Sequence, residues 1–193
     1  MAVKYIAIAL GGVFLMASIH GALSVTRLTA TEPTLPPFAH TQFCLKYPDD
    51  CKADGNKNTA RSISVTPQRR DELRAVNDQV NKTIVPRTQP ANPVHEKWLL
   101  NPRAGDCNDY VVTKRHALIR KGWPADALLP TEVVLPSGEH HLVLIARTGE
   151  GDFVLDNLKD TVRTVADASM DYRWVRMVSP RDPKYWNKVE QPS

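Results

Sequence analysis

Apolar residues recur at three- and four-residue spacing in two stretches of the chain, which predicts two amphipathic helices. The first helix is expected over residues 67–82, with Thr66 as its N-cap and Pro67 at its first position. The second is expected to begin after an N-cap at Asp106 and to end at Gly122, which suits the C′ position. The two buried faces comprise Leu73, Val76, Val80 and Ile84 in the first helix and Val111, Val112, Leu118 and Ile119 in the second.

Short apolar runs separated by turn residues follow the second helix and predict an antiparallel sheet. The turns are a Pro-Ser-Gly sequence at 136–138 and a Thr-Gly-Glu-Gly sequence at 148–151. Strands are expected over four ranges: 132–135, 140–146, 152–156 and 172–178. Helices followed by a run of strands indicate an α+β fold, in which the second helix packs on the antiparallel sheet.

The first residues of the chain have the pattern of an export signal. Lys4 precedes an apolar run over residues 5–17, and Ala22-Leu23-Ser24 offers small residues for cleavage. The run is shorter than the ~20 residues that span a membrane, which favours a signal peptide over residues 1–24. An uncleaved N-terminal anchor is the alternative, and only in that form is a membrane contact expected.

Composition and charge narrow the kind of domain that follows this signal. Residues 25–42 are rich in threonine and proline and lack an apolar period, so a flexible linker is expected there. Residues 43–193 are expected to form one domain, because 42% hydrophobic and 24% charged residues are typical of a globular protein. The net charge of +4 is spread without a basic tract, so no nucleic-acid partner is expected.

The chain has three cysteines, at positions 44, 51 and 107. Cys44 and Cys51 enclose a loop with a Pro-Asp turn signal, so the loop can bring the two sulfurs together. In an exported protein this pair is expected to form a disulfide, with two reduced thiols as the alternative. That pairing leaves Cys107 as a single thiol.

Cys107 is the residue best placed to act as a catalytic nucleophile. It stands at the expected first turn of the second helix, and His140 and His141 follow 33 and 34 residues later at the start of an apolar strand. Adjacent residues on a strand face opposite ways, so only one of these histidines can face the thiol. Asp156 closes the next apolar run. A thiol, an imidazole and a carboxylate are the parts of a nucleophilic site, although Asp156 could equally be a turn residue.

The position of Cys107 predicts a lowered thiol pKa. A helix N-terminus and a neighbouring imidazolium both favour the thiolate. Asp106 and Asp109 would oppose thiolate formation unless they point away, cap the helix or bind a cation. The backbone N–H of Cys107 is a natural donor to an oxyanion.

Several segments in this order resemble the bacterial transglutaminase-like cysteine proteinases. They are Val94-His95-Glu96-Lys97-Trp98, Gly105-Asp106-Cys107-Asn108-Asp109-Tyr110, His141-Leu142-Val143-Leu144 and Val154-Leu155-Asp156-Asn157-Leu158. The resemblance implies a papain-like fold in its transglutaminase variant, a periplasmic location and a catalytic triad. In that family the matching positions of the triad are Cys107, His141 and Asp156.

Members of this family also bind calcium beside the nucleophile, through an acidic residue before the cysteine and a Glu after it. Here Asp106 and Asp109 are kept, but Asn108 stands where the Glu would be. An amide supplies an oxygen without charge, so calcium binding by Asp106, Asn108 and Asp109 is expected to be weak or absent. No cofactor is expected to be required.

Three functions follow from this interpretation. The first is a periplasmic cysteine endopeptidase that cleaves a periplasmic or cell-surface protein through an acyl-enzyme and acts as a monomer. The second is a transglutaminase-type transferase that passes the acyl group to an amine. The third is a secreted binding domain without catalysis. An intact set of Cys107, His141 and Asp156 favours the two enzymes, since loss of one residue would be enough to abolish activity.

Overall fold

The computed structural model of the chain describes residues 26–53, 63–88 and 92–192. The expected signal peptide, residues 1–24, lies outside the described residues. The α-helices are α1 (Phe38–Lys46), α2 (Pro67–Thr83), α3 (Cys107–Arg120) and α4 (Val165–Ala168). Among the described residues, none of the helices has the length and apolar character needed to span a bilayer.

The strands form one large antiparallel sheet and one small parallel pair. The large sheet contains β1 (Ala30–Thr34), β4 (Leu128–Val134), β5 (His140–Thr148), β6 (Gly151–Leu155), β7 (Arg163–Thr164), β8 (Arg173–Val178) and β9 (Trp186–Val189). Their order across the sheet is β1-β9-β8-β4-β5-β6-β7. The small pair is β2 (Val85–Pro86) beside β3 (Ala104–Gly105).

The two predicted helices form where the sequence indicates. The Thr66 hydroxyl accepts a hydrogen bond from the backbone N–H of Arg69 at 3.2 Å, which satisfies one of the unpaired donors at the start of α2. Gly122 follows α3 with a positive φ of 83°, a conformation that a residue with a Cβ adopts only at a cost. The sequence predictions for α2 and α3 are confirmed.

The sheet is buried on both faces. Along β5 the side chains alternate between two apolar clusters, as a strand requires. Leu142 and Leu144 pack with α2 and α3 on one face, whereas Val143 and Ile145 join Trp174 on the other. The α+β fold, with α3 packed on an antiparallel sheet, is therefore confirmed.

The segment before residue 43 differs from the expected flexible linker over residues 25–42. β1 pairs with β9, Leu28 is buried, and α1 begins at Phe38. A local pattern could not show this, because the partner strand lies more than 150 residues away and β1 is polar on both faces. Pro33 is tolerated because β1 is an edge strand, where a missing N–H can face solvent.

A disulfide and an aromatic cluster anchor α1 to the domain. Cys44 and Cys51 are joined, as the sequence predicts. Behind them the buried imidazole of His40 meets the edges of the Trp98 and Trp186 rings, with centroids 5.2 and 5.5 Å away. Burial, reinforced by the charge of Arg115, lowers the pKa of His40 to about 3, so this histidine is neutral.

Candidate active site

The start of α3 is fixed by a capping box. The Asp106 carboxylate accepts the backbone N–H of Asn108 at 3.1 Å, and the Asp109 carboxylate accepts the backbone N–H of Asp106 at 3.2 Å. This arrangement places Cys107 at the first helical position, next to the unpaired N–H groups of the helix. Of the three roles considered for the two aspartates, capping is the one that the structure shows.

Gly105 is needed immediately before this capping box. A Cβ at this position would lie 2.5 Å from the Asp109 Oδ2 atom, closer than any real Cβ contact. The glycine therefore lets the backbone of β3 approach the Asp109 carboxylate that orders the helix start.

His141 and Asp156 form a buried hydrogen-bonded pair on neighbouring strands. Asp156 directly follows β6, and its Oδ1 lies 2.8 Å from His141 Nε2. The side chain of His141 is 6% exposed and that of Asp156 is 1% exposed. His140 faces the other way and contacts Glu132 at the surface. The pairing leaves Nδ1 as the His141 nitrogen that is not bonded to Asp156.

Two further donors hold the Asp156 carboxylate. The backbone N–H of Leu158 donates to Oδ1 at 2.9 Å, and the Tyr172 hydroxyl donates to Oδ2. Burial alone would raise the pKa of Asp156, but the bond and charge of His141, together with these two donors, lower it below its ordinary value. The carboxylate is therefore kept ionised beside the imidazole.

The loop that carries Asp156 is fastened to α2. Asn81 Nδ2 donates to the backbone oxygen of Asp156 at 2.9 Å. One turn earlier, Asn77 Nδ2 donates to the backbone oxygens of Lys159 and Asp160 at 3.2 and 3.1 Å. Both asparagines directly follow apolar core residues of α2, Val76 and Val80. These polar positions beside the apolar face are the sequence signal from which this role could have been predicted.

Cys107 lies where α3 meets β5. Cys107 as a residue is partly exposed, and the backbone N–H of Leu142, the residue after His141, lies against its sulfur. A cleft of about 380 Å³ opens above the thiol. Its lining includes Cys107 and His141 together, with Tyr110, Leu135 and Leu158 around them. The structure therefore brings the three predicted residues into one site.

The pKa of the Cys107 thiol differs in direction from the sequence prediction. Burial raises it to about 12, and the carboxylates of Asp106, Glu96 and Asp156 add to the increase. The Leu142 N–H acts in the opposite direction but is outweighed. Glu96 and Asp156 come close to the thiol only in the folded protein, so the sequence around Cys107 could not predict their effect on its pKa.

Glu96 is a site residue that the sequence prediction did not assign. Its Oε1 atom accepts the indole N–H of Trp98 at 2.7 Å and the amide of Asn108. Burial raises the pKa of Glu96, and the charges of Asp106 and Glu132 raise it further. Trp98 itself is buried in the core beside α1.

The residues expected to hold calcium do not form a free set of oxygens. Both carboxylate oxygens of Asp109 accept backbone N–H groups, from Leu99 at 2.7 Å and from Asp106. The Asn108 amide is directed at Glu96 as a donor, and Asp106 caps α3. Calcium prefers six to eight oxygen ligands, and these side chains are already committed to protein donors and acceptors. With both Asp109 oxygens engaged by backbone N–H groups, the three side chains do not present the full number of oxygens that calcium prefers.

Another group that could be mistaken for a metal site lies on α1. Ligand atoms of His40, Cys44 and Cys51 fall within 4.8 Å of one another. The two sulfurs are bonded to each other, so they cannot act as thiolate ligands. His116, on α3, is partly exposed and pairs with Asp50 at 3.0 Å.

A helix-borne cysteine set against a hydrogen-bonded His–Asp pair on an antiparallel sheet defines a cysteine peptidase of the transglutaminase-like class. Comparison with protein families agrees. The model described as "Bacterial transglutaminase-like cysteine proteinase BTLCP" matches residues 30–193, and the chain belongs to this family. The matched range includes β1, which the linker prediction had left outside the domain.

Comparison with solved structures finds similar chains in Legionella pneumophila. The calcium-bound form of LapG has a TM-score of 0.48 and 21% sequence identity, covering 71% of this chain and 82% of that one. Another LapG structure has a TM-score of 0.48 and 24% identity, covering 75% and 84%. An EGTA-treated form has a TM-score of 0.46 and 21% identity, covering 75% and 82%. No curated protein sequence matched the chain.

Proposed function

We propose that this protein is a periplasmic cysteine endopeptidase that cleaves protein substrates through Cys107, His141 and Asp156. The observation that carries the proposal is the buried His141–Asp156 pair, whose imidazole shares a cleft with the Cys107 thiol. Family membership supports peptidase chemistry. The export pattern of residues 1–24 and the Cys44–Cys51 disulfide support an oxidising compartment.

The proposed reaction begins with proton transfer from the Cys107 thiol to His141 as the sulfur attacks the scissile carbonyl carbon. The backbone N–H of Cys107, at the helix start, donates to the oxyanion that develops. His141 then returns the proton to the leaving amine, and a thioester remains on Cys107. Water, deprotonated by His141, attacks that thioester and releases the acid and the thiol. Asp156 stays ionised throughout and stabilises the imidazolium.

Because the pKa of the Cys107 thiol is raised, His141 is needed as a general base. With a pKa of about 12, the thiol of the substrate-free protein is protonated at neutral pH. The thiolate therefore forms during attack, when His141 accepts the proton, rather than as a resting ion pair. This feature distinguishes the proposed site from cysteine sites with a lowered thiol pKa.

The test is cleavage of a periplasmic protein extract by the purified protein, with new N-termini identified by mass spectrometry. Cys107→Ala is expected to remove all specific cleavage, because it removes the thiol that shares the cleft with His141. The matched control is the double variant Cys44→Ala/Cys51→Ala, which loses the disulfide and melts earlier but keeps the cleavage pattern. Cleavage that survives in Cys107→Ala would overturn the proposal.

A fluorescent primary amine distinguishes hydrolysis from acyl transfer. We expect new N-termini to accumulate in its presence, with little amine incorporated into protein. Incorporation of the amine without cleavage fragments would instead support the transglutaminase-type function. Neither product, with Cys107 intact, would support the non-catalytic binding domain.

We further propose that the peptidase works without calcium, because both oxygens of Asp109 accept backbone N–H groups, Asp106 caps α3 and the Asn108 amide donates to Glu96. Calcium or chelator is expected to change the melting temperature by less than about 1 °C and to leave cleavage unchanged. Asn108→Asp serves as the comparison, since it places a third carboxylate beside Glu96 and Asp106 and should respond to calcium. A calcium-dependent rise in melting temperature or cleavage in the unmodified protein would contradict the proposal.

A further inference from the structure

We propose that Tyr172 is a positioning residue that holds Asp156 in its ionised, His141-facing orientation. This inference rests on the proposed function, since it assigns a new part to a residue of the same site. Tyr172 directly precedes β8, 16 residues after Asp156, and its hydroxyl donates to Asp156 Oδ2. No sequence pattern identifies it.

The hydrogen bonds around Asp156 give Tyr172 a distinct role. His141 and the Leu158 N–H both bind Asp156 Oδ1. The side-chain donor that the structure shows at Oδ2 is the Tyr172 hydroxyl. With both oxygens held, rotation of the carboxylate would break bonds on each side at once. The Tyr172 ring also lies 6.5 Å from the His141 ring, so one residue borders both members of the pair.

Tyr172 is itself held firmly enough to act as a support. Its ring meets that of Trp174 edge-on at 6.1 Å. The Arg163 guanidinium lies 5.1 Å from the centre of the ring and pairs with Asp171 at 2.6 Å. Burial and the bond to Asp156 raise the pKa of Tyr172 above its ordinary value, so the hydroxyl remains a donor at every pH at which the enzyme would work.

Charged and titratable groups approach this pair from several elements. His141 faces Asp156 from β5, while Cys107 and Lys114 sense its charge from α3. Arg163 and Asp171 lie on the Tyr172 side. Of these groups, His141 forms the direct bond to Asp156.

Tyr172→Phe is expected to move the acid limb of kcat/KM upward by about one pH unit. The direction of this shift follows from the hydrogen bond that the Tyr172 hydroxyl donates to Asp156. The hydroxyl stabilises the ionised carboxylate, so its removal raises the pKa of Asp156 and activity is lost at a higher pH as the solution is acidified. At neutral pH the loss of kcat/KM is expected to be about tenfold or less.

Two comparisons separate positioning from a general effect on the fold. Thr131→Val removes another buried hydroxyl, which donates to the Leu129 backbone oxygen outside the cleft, and should leave the acid limb in place. In an Asp156→Asn background, where no carboxylate remains to titrate, Tyr172→Phe should not move the profile. An unmoved limb in Tyr172→Phe, or an equal shift in the Asp156→Asn background, overturns the proposal.

A direct titration makes the result independent of peptidase activity. The ¹³C signal of the Asp156 carboxyl, assigned by its absence in Asp156→Asn, should titrate about one pH unit higher in Tyr172→Phe. If Cys107→Ala showed that the cleavage has another origin, the proposed function would fail while this titration still decided the role of Tyr172. Equal titration midpoints in the two proteins would reject that role.

Discussion

His141→Asn is expected to reduce kcat for peptide cleavage by roughly 10³–10⁴-fold. Because the thiol of Cys107 has a pKa of about 12, it depends on His141 to lose its proton during attack. The remaining rate should rise about tenfold per pH unit through the neutral and alkaline range, since only the thiolate fraction reacts. Steady-state kinetics across this pH range measure both effects.

The neighbouring residue provides the control for this variant. His140→Asn alters the same strand, but its side chain faces Glu132 at the surface and not Asp156. It should keep most of the activity and the unmodified pH profile. A His141→Asn protein with near-normal kcat would exclude His141 as the base, and a residual rate independent of pH would contradict the raised thiol pKa.

Lys114→Met is expected to stabilise the protein by about 1–4 kcal/mol at neutral pH. Lys114 lies in α3 with 0% exposure, and its Nζ has no hydrogen-bond partner among the residues described. Its ammonium lies 5.9 Å from the centre of the Tyr110 ring, a contact that offsets only part of the cost of desolvation. Methionine has a similar shape without the charge.

The pH dependence of this effect has a definite sign. Burial lowers the pKa of Lys114 from 10.5 to about 7, although the charge of Asp156 opposes the change. Above about 10.5 the lysine is neutral in the folded and unfolded states, so the burial of its charge no longer lowers stability. As the pH falls from 10.5 to 7 the unfolded state gains the proton first, and the folded protein loses stability.

Denaturant unfolding at several pH values measures the difference. The advantage of Lys114→Met should be largest at pH 7 and below and should disappear near pH 10.5. Lys121→Met, an exposed substitution at the end of the same helix, should change the free energy of unfolding by no more than about 0.5 kcal/mol. A destabilised Lys114→Met protein would show that the ammonium has a stabilising partner.

The sequence was most informative where the signals were local. The cap at Thr66, the aspartate before Cys107 and the glycine after α3 each act within one turn of a helix, so their residue types predicted the ends of α2 and α3. The Cys44–Cys51 disulfide likewise closes a short loop. Local chemistry predicts local structure because few alternative partners are within reach.

Features that depend on contacts between residues distant in sequence were not predicted, because a local sequence pattern does not contain their partners. β1 has polar residues on both faces and becomes a strand only through β9. Glu96 and Asp156 reach the Cys107 thiol from separate loops, and together with burial they reverse the expected direction of its pKa. Whether a helix start activates a thiol therefore depends on charges that the neighbouring sequence does not contain.

The first described residues contact the sheet at the end away from the cleft. The backbone oxygen of Thr26 accepts the N–H of Asp152, where the β5–β6 hairpin turns, whereas His141 and Asp156 lie at the opposite end of that hairpin. At about 3.3 Å per residue, the two ends are roughly 20 Å apart. Residues 26–53 accordingly contribute nothing to the lining of the cleft, which is left open on that side of the domain.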